Sequence, residues 1–162
     1  VENNKIVILR PGKITKEDIE KLGFKARLDE HIFSEVEKGD KVLSPGMKHK
    51  HYAPNTKTVL VETTNKEKFV KYVDKTIQEG KKVCVISFEE DKKLFKRMKL
   101  EFLSLGKSKD LDEISKNLFS MLRKVDGFNV DICFISSVEK KDIGTAIMNR
   151  LYRACGYNIL KL

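Results

Sequence analysis

The chain predicts an α/β fold: a Rossmann-like three-layer domain with a mostly parallel sheet, preceded by an extended linker and the remnant of another domain. Three observations predict it. From Lys57 onward, apolar runs of strand length alternate with stretches of helical period. Several of those runs are apolar at consecutive positions, as strands covered by helices on both faces require. A polar, basic segment bounded by Pro45 and Pro54 separates this regular part from a short strand–turn–helix pattern at the start.

In chain order, residues 5–9 form a β-branched run closed by Arg10-Pro11-Gly12, which predicts a strand and a turn. Thr15, with Asp18 three residues on, offers the cap of a short helix over 16–22. Residues 24–41 show no clean period and include the charge-rich Glu35-Val36-Glu37-Lys38-Gly39-Asp40, so they read as a connector. Strands are expected at 58–61, 83–88, 102–105, 132–135 and 159–162. Helices are expected at 66–79, 90–99, 110–125 and 142–155, with Gly80 and Gly127 at C-terminal cap positions. The implied boundaries are 1–23 for the remnant, 24–56 for connector and strap, and 57–162 for the Rossmann-like domain.

The strap is Ser44-Pro45-Gly46-Met47-Lys48-His49-Lys50-His51-Tyr52-Ala53-Pro54. Its prolines push Ser44 and Ala53 into extended conformations. In an extended stretch side chains alternate, so Lys48, Lys50 and Tyr52 face one way and Met47, His49 and His51 the other. Two cations and a phenol on one face suit an anion; a solvated basic loop is the alternative. His31 is the only other histidine, so a zinc site is not expected.

Lys and Arg number 33 against 24 Asp and Glu, a formal net charge of +9, which suits a polyanionic partner such as nucleic acid or a nucleotide. Lysine spread over every helix gives the same balance without an RNA-binding face, so both readings stand. Three scattered cysteines argue against a disulfide framework and for a reducing compartment, with the cytoplasm the expected location. Cys84 and Cys133 lie in apolar runs and are expected to be buried. No apolar run approaches membrane-spanning length, so no membrane partner is expected. The chain begins with valine and enters a strand almost at once, which reads as a piece of something longer.

Parallel sheets of this kind bind ligands beyond the carboxyl ends of their strands, but no dinucleotide fingerprint follows the first strand of the regular part. Gly106-Lys107-Ser108 reads as a plain turn before the helix at Asp110. In the last helix Ile143, Ala146, Ile147, Leu151 and Ala154 make an apolar stripe, with Asn149, Arg150 and Arg153 off it. Asn149 and Arg150 either bind an anion or tie the helix to a neighbouring loop.

Taken together, Ile8 to Thr15, the strap, and Ala146 to Ala154 resemble one family, the long two-domain form of threonylcarbamoyl-AMP synthase with a YrdC-like catalytic domain. The resemblance implies that the complete enzyme condenses L-threonine, bicarbonate and ATP into threonylcarbamoyl-AMP with release of pyrophosphate, for modification of adenosine in tRNA. It implies that residues 1–23 are the tail of the catalytic domain. The family's Lys-x-Arg motif and its serine- and threonine-rich loops have no counterpart here, so the chain alone is not expected to catalyse the reaction. No catalytic residue and no metal ligand are assigned to it.

By the same resemblance Arg10 belongs to the nucleotide site, and its fixed fork of donors suits phosphate. Tyr52 matches the strap tyrosine that meets the nucleotide. His51, Lys48 and Ser44 share that cover, so the strap is expected to act as a lid of the ATP site, with Lys48 offsetting charge on the leaving pyrophosphate. His49 stands where the family commonly has tyrosine, and Lys50 where it has arginine. ATP is expected as substrate with Mg²⁺ held by the absent catalytic domain, which is also the first expected partner. tRNA or a modification complex is a further one. The alternative function is a stand-alone nucleotide- or tRNA-binding module. Without the rest of their sheet, residues before Pro54 are expected to repack on the domain or pair with a neighbouring chain.

Overall fold

The computed structural model describes residues 5–34 and 53–162. The first stretch forms strand β1 (Lys5–Ile8), helix α1 (Lys16–Lys21) and strand β2 (Lys25–Leu28), with a 3₁₀ turn at Glu30–Ile32. β1 and β2 pair in parallel, Ile6 opposite Ala26 and Ile8 opposite Leu28. Thr15 caps α1 as its sequence predicts: its hydroxyl accepts from the Asp18 amide, and the Asp18 carboxylate accepts from the Thr15 amide. β2 is a correction to the reading of 24–41 as an aperiodic connector. Its four residues alternate exposed and half-buried positions, too few for a period to stand out.

The second stretch carries β3 (Lys57–Glu62), α2 (Lys66–Gln78), β4 (Val83–Ser87), α3 (Lys92–Phe95), β5 (Glu101–Ser104), α4 (Leu111–Val125), β6 (Ile132–Ser136), α5 (Ile143–Ala154) and β7 (Ile159–Lys161). The five strands form one parallel sheet in the order β5-β4-β6-β3-β7. From β3 the chain steps to β4 and β5, then returns to β6 and β7. With right-handed crossovers, α2 and α3 therefore cover one face and α4 and α5 the other.

Consecutive strand residues serve the two faces in turn. Leu60, Cys84, Ile86, Cys133 and Ile135 pack with Ile114, Leu118 and Leu122 of α4 and Ile147, Met148 and Leu151 of α5. Val61, Val83, Val85 and Phe134 pack with Phe69 and Val73 of α2 and with Phe95 of α3. This is the three-layer arrangement expected, and Cys84 and Cys133 are fully buried in it.

Two local expectations are corrected. The helix expected over 90–99 is a 3₁₀ turn at Glu89–Asp91 followed by one turn of α-helix. Asp91 is drawn inward there: it accepts from the Ser87 hydroxyl at 2.5 Å and from Lys66 Nζ at 2.7 Å, while Ser87 and Ser136, at the ends of β4 and β6, share a 2.7 Å hydrogen bond. After α4 it is Asn129, at φ 48°, that takes the left-handed conformation, not Gly127.

Candidate functional site

The Arg-Pro-Gly turn after β1 places Arg10 at the surface and buries Pro11. The turn faces the start of α5 across a cavity of about 190 Å³, lined by Ile8, Pro11 and Gly12 on one side and by Lys140, Asp142 and Thr145 on the other. The loop before α5 folds back tightly. A Cβ at position 144 would collide with the Glu139 carbonyl, so only glycine allows this approach.

Farther along α5, Asn149 Nδ2 donates to the carbonyl of Ile32 at 2.6 Å, and both residues are buried. Of the two roles open to Asn149, tying the helix to a neighbouring segment is the one seen. Arg150 is partly buried, and its pKa is pushed down first by that burial and then by the charge of Arg10.

Phe33 follows Ile32 and lies against Tyr152 at 5.6 Å between ring centres. The Lys140 ammonium sits over both rings, at 5.2 and 5.0 Å. Lys140 also pairs with Glu62 at 3.1 Å, and the Tyr152 phenol donates to the same carboxylate. Burial raises the Glu62 pKa, but the Tyr152 phenol and the Lys140 ammonium outweigh it and hold the carboxyl below its ordinary value. For Tyr152, burial and then the Glu62 carboxylate push the phenol up. Lys140 is pushed down by burial and up, by more, through Tyr152 and Glu62. Glu62 is the last residue of β3, so this cluster stands at the carboxyl edge of the sheet, where β3 and β6 send their chains to opposite faces.

The other end of the undescribed segment 35–52 is held as well. The Asp126 carboxylate accepts the amides of Asn55 and Thr56, both at 3.0 Å, and the Thr56 hydroxyl at 2.9 Å. Burial raises the Asp126 pKa, and these donors lower it by more.

Of the predicted site residues, the structure describes Arg10 alone; Ser44, Lys48, His51 and Tyr52 lie outside the described residues. Residues 5–34 do pack onto the larger domain, through Ile32 and Phe33 on α5. Sequence reasoning missed Phe33, Glu62, Lys140 and Tyr152 as a group. The available signals were an acid closing an otherwise apolar strand and an apolar pair, Ile32-Phe33, inside a charged stretch. Among the described residues no group of three or more His, Cys, Asp or Glu converges to hold a metal, and no helix is long and apolar enough to cross a membrane. The Arg10 guanidinium suits phosphate oxygens and offers no oxygen ligand to magnesium.

Comparison with known proteins gives a consistent result. The family described as threonylcarbamoyl-AMP synthase, C-terminal domain, matches residues 14–156. The chain is 36% identical over 162 residues to the threonylcarbamoyl-AMP synthase of Pyrococcus abyssi, covering 96% of this chain and 44% of that protein. It is 32% identical to the Bacillus subtilis enzyme of the same name, covering 96% of this chain and 43% of the relative. The chain thus spans less than half the length of these curated relatives. Among solved structures, the Pyrococcus abyssi protein complexed with L-threonine matches with a TM-score of 0.80 at 36% identity, over 96% of this chain and 44% of the other. A C-terminal domain from Pyrococcus horikoshii matches with a TM-score of 0.51 at 34% identity, over 68% of this chain and all of its own.

Proposed function

The chain belongs to the threonylcarbamoyl-AMP synthase family, as its C-terminal part, and on that premise we propose that the protein containing it makes threonylcarbamoyl-AMP and pyrophosphate from L-threonine, bicarbonate and ATP. Residues 1–23 then complete the catalytic domain, 24–56 form connector and strap, and 57–162 form the domain on which the strap is mounted. The chain by itself performs no catalysis, since the family's substrate-activating motifs fall outside it. Arg10 faces the nucleotide phosphates; Ser44, Lys48, His51 and Tyr52 cover the nucleotide as a lid that excludes water during adenylyl transfer. Magnesium on the ATP phosphates would be held by residues outside this chain. The product serves tRNA modification, with tRNA or a modification complex downstream, and the expected location is the cytoplasm.

The observation that carries this reading is the docking of the connector. Ile32 and Phe33 are gripped by α5, and Asn55 and Thr56 by Asp126. The described residues on either side of the segment bearing the strap residues are thus held on the Rossmann-like domain. The L-threonine complex of the Pyrococcus abyssi relative, which aligns with nearly this whole chain, supports the choice of substrate.

Pyrophosphate release from ATP with L-threonine and bicarbonate tests the proposal, comparing the full-length protein, a catalytic domain ending before Ser44, the same domain extended through Pro54, and this chain alone. Activity in the full-length protein and the extended domain, with none in the shorter domain or this chain, is the expected pattern. Full activity in the shorter domain would remove the strap from the mechanism. The net charge of +9 favours a second reading, a stand-alone module for tRNA or nucleotide. It predicts that this chain binds RNA with an affinity falling steeply as salt rises.

A further inference from the structure

We propose that the cavity between the Arg-Pro-Gly turn and the start of α5 is a binding site for a small organic ammonium, recognised by Glu17, Asp142 and the Thr145 hydroxyl. The site goes beyond the reaction proposed above and does not depend on it.

Thr145 carries the assignment. It is 9% exposed, and its hydroxyl makes no hydrogen bond among the described residues. The other buried polar side chains are satisfied: Thr15, Thr58, Ser87, Asp91, Ser136 and Asn149 each hydrogen-bond within the protein. A threonine inside a helix commonly bonds back to the carbonyl four residues earlier, as Thr76 does to Tyr72 at 2.9 Å. Thr145 does not. Nor is its oxygen sealed in protein, so it opens on the cavity that the residue lines.

The charges around the cavity decide what it takes. Lys16 and Lys140 line it, but Lys16 pairs with Glu20 at 3.4 Å and Lys140 with Glu62 at 3.1 Å. Glu17 and Asp142 also line it, and neither enters an ion pair among the described residues. Asp142 precedes α5 without its carboxylate bonding a helix amide. The cations are thus paired and the acids are not, which leaves the cavity short of positive charge. With no third acid, histidine or cysteine converging on them, the two carboxylates make no metal site. Ile8, Ile14 and Leu28 supply an apolar wall instead. An ammonium on a short hydrocarbon body uses every one of these features: carboxylates for the charge, a hydroxyl oxygen for one N–H, and aliphatic side chains for the body. At about 190 Å³ the cavity has the volume of about six waters, which suits a ligand of a few heavy atoms and not a nucleotide. Simple amines and free amino acids share that chemistry.

Calorimetric titration of this chain and of the full-length protein with valinamide, valine and isovalerate tests the site. Valinamide carries an ammonium on an aliphatic body, valine adds a carboxylate, and isovalerate lacks the ammonium. Valinamide is expected to bind and isovalerate to fail. Binding of valine as well supports the site and marks free amino acids as the source; binding of valinamide alone supports it and marks simple amines. Asp142→Asn is expected to weaken valinamide by about tenfold and Thr145→Val by about fivefold, the weights of a charged and a neutral hydrogen bond. Thr145→Val should leave unfolding of the ligand-free protein unchanged, because its hydroxyl has no partner to lose. The inference is overturned if valinamide does not bind, if isovalerate binds equally well, or if both variants bind like the parent. Loss of binding in the full-length protein, or displacement there by L-threonine, would also overturn it, since the cavity would then be filled by the rest of the protein or belong to the substrate site.

Discussion

The two described stretches of the molecule are built by opposite economies. In the five-stranded domain, strand and helix residues on both faces are sealed from water, with Leu60, Ile86, Leu118, Ile135 and Ile147 all at 0% exposure. In residues 5–34 Ile32 is the only large apolar side chain fully buried, while Ile14, Leu22 and Phe24 stand 72%, 76% and 57% open. A two-stranded parallel sheet with one short helix does not enclose a core of its own. The first region therefore carries its stability within itself. The second borrows a surface from α5 and leaves these apolar side chains open to solvent.

The sharpest way to break this comparison is to cut into each region. Phe134→Ala empties the centre of the sheet, where the ring meets Phe69 and Tyr72 edge-on, and is expected to cost about 3–5 kcal/mol in denaturant unfolding. Ile14→Ser is expected to change stability by no more than about 0.5 kcal/mol. Comparable losses at both positions would show that residues 5–34 share one cooperative core with the rest.

The next effect lies at the joint. Asn149→Ala leaves the buried Ile32 carbonyl without its donor, at a cost of about 1–3 kcal/mol. The loss is expected to be local. Amide exchange should accelerate over residues 29–33 while the strands of the five-stranded sheet keep their protection, and uniform acceleration would contradict the separation of the two regions.

The smallest effect is one of pH. Glu62 and Asp126 both have carboxyl pKa values lowered in the folded protein. Their contributions are present above the ordinary carboxylate values and are lost as pH falls through the folded-state values. Acid should therefore loosen the Phe33 cluster and the Asn55–Thr56 clamp before it unfolds the sheet. Carboxyl carbon shifts followed against pH should place both midpoints below their ordinary values; a midpoint at or above them would remove the clusters described around these acids.

How much of this was legible in the sequence depended on how far apart the cooperating residues lie. The alternation of strands and helices after Lys57 is written locally, in apolar periodicity, and so are the Thr15–Asp18 cap and the arginine–proline–glycine turn. β2 escaped notice because Lys25-Ala26-Arg27-Leu28 is a strand only once β1 lies beside it. The helix over 90–99 was overestimated because Asp91 turns inward to Ser87 and Lys66, a preference that exists only in the folded sheet. At the candidate site, Arg10 was readable from its turn. Whether Asn149 binds an anion or a loop was not, since its partner is Ile32, more than a hundred residues earlier.

Phe33 bears on how the Rossmann-like domain should be probed. A side chain tethered to its own receptor competes at an effective concentration on the order of millimolar. Soluble metabolites would have to exceed that level, or bind far more tightly than a phenyl ring does, to displace it from Lys140 and Tyr152. A truncated domain lacking the connector would leave the Tyr152 ring and the Lys140 ammonium without the Phe33 ring that lies against them in the longer chain, and compounds captured there would be reporting on contacts that the chain makes for itself.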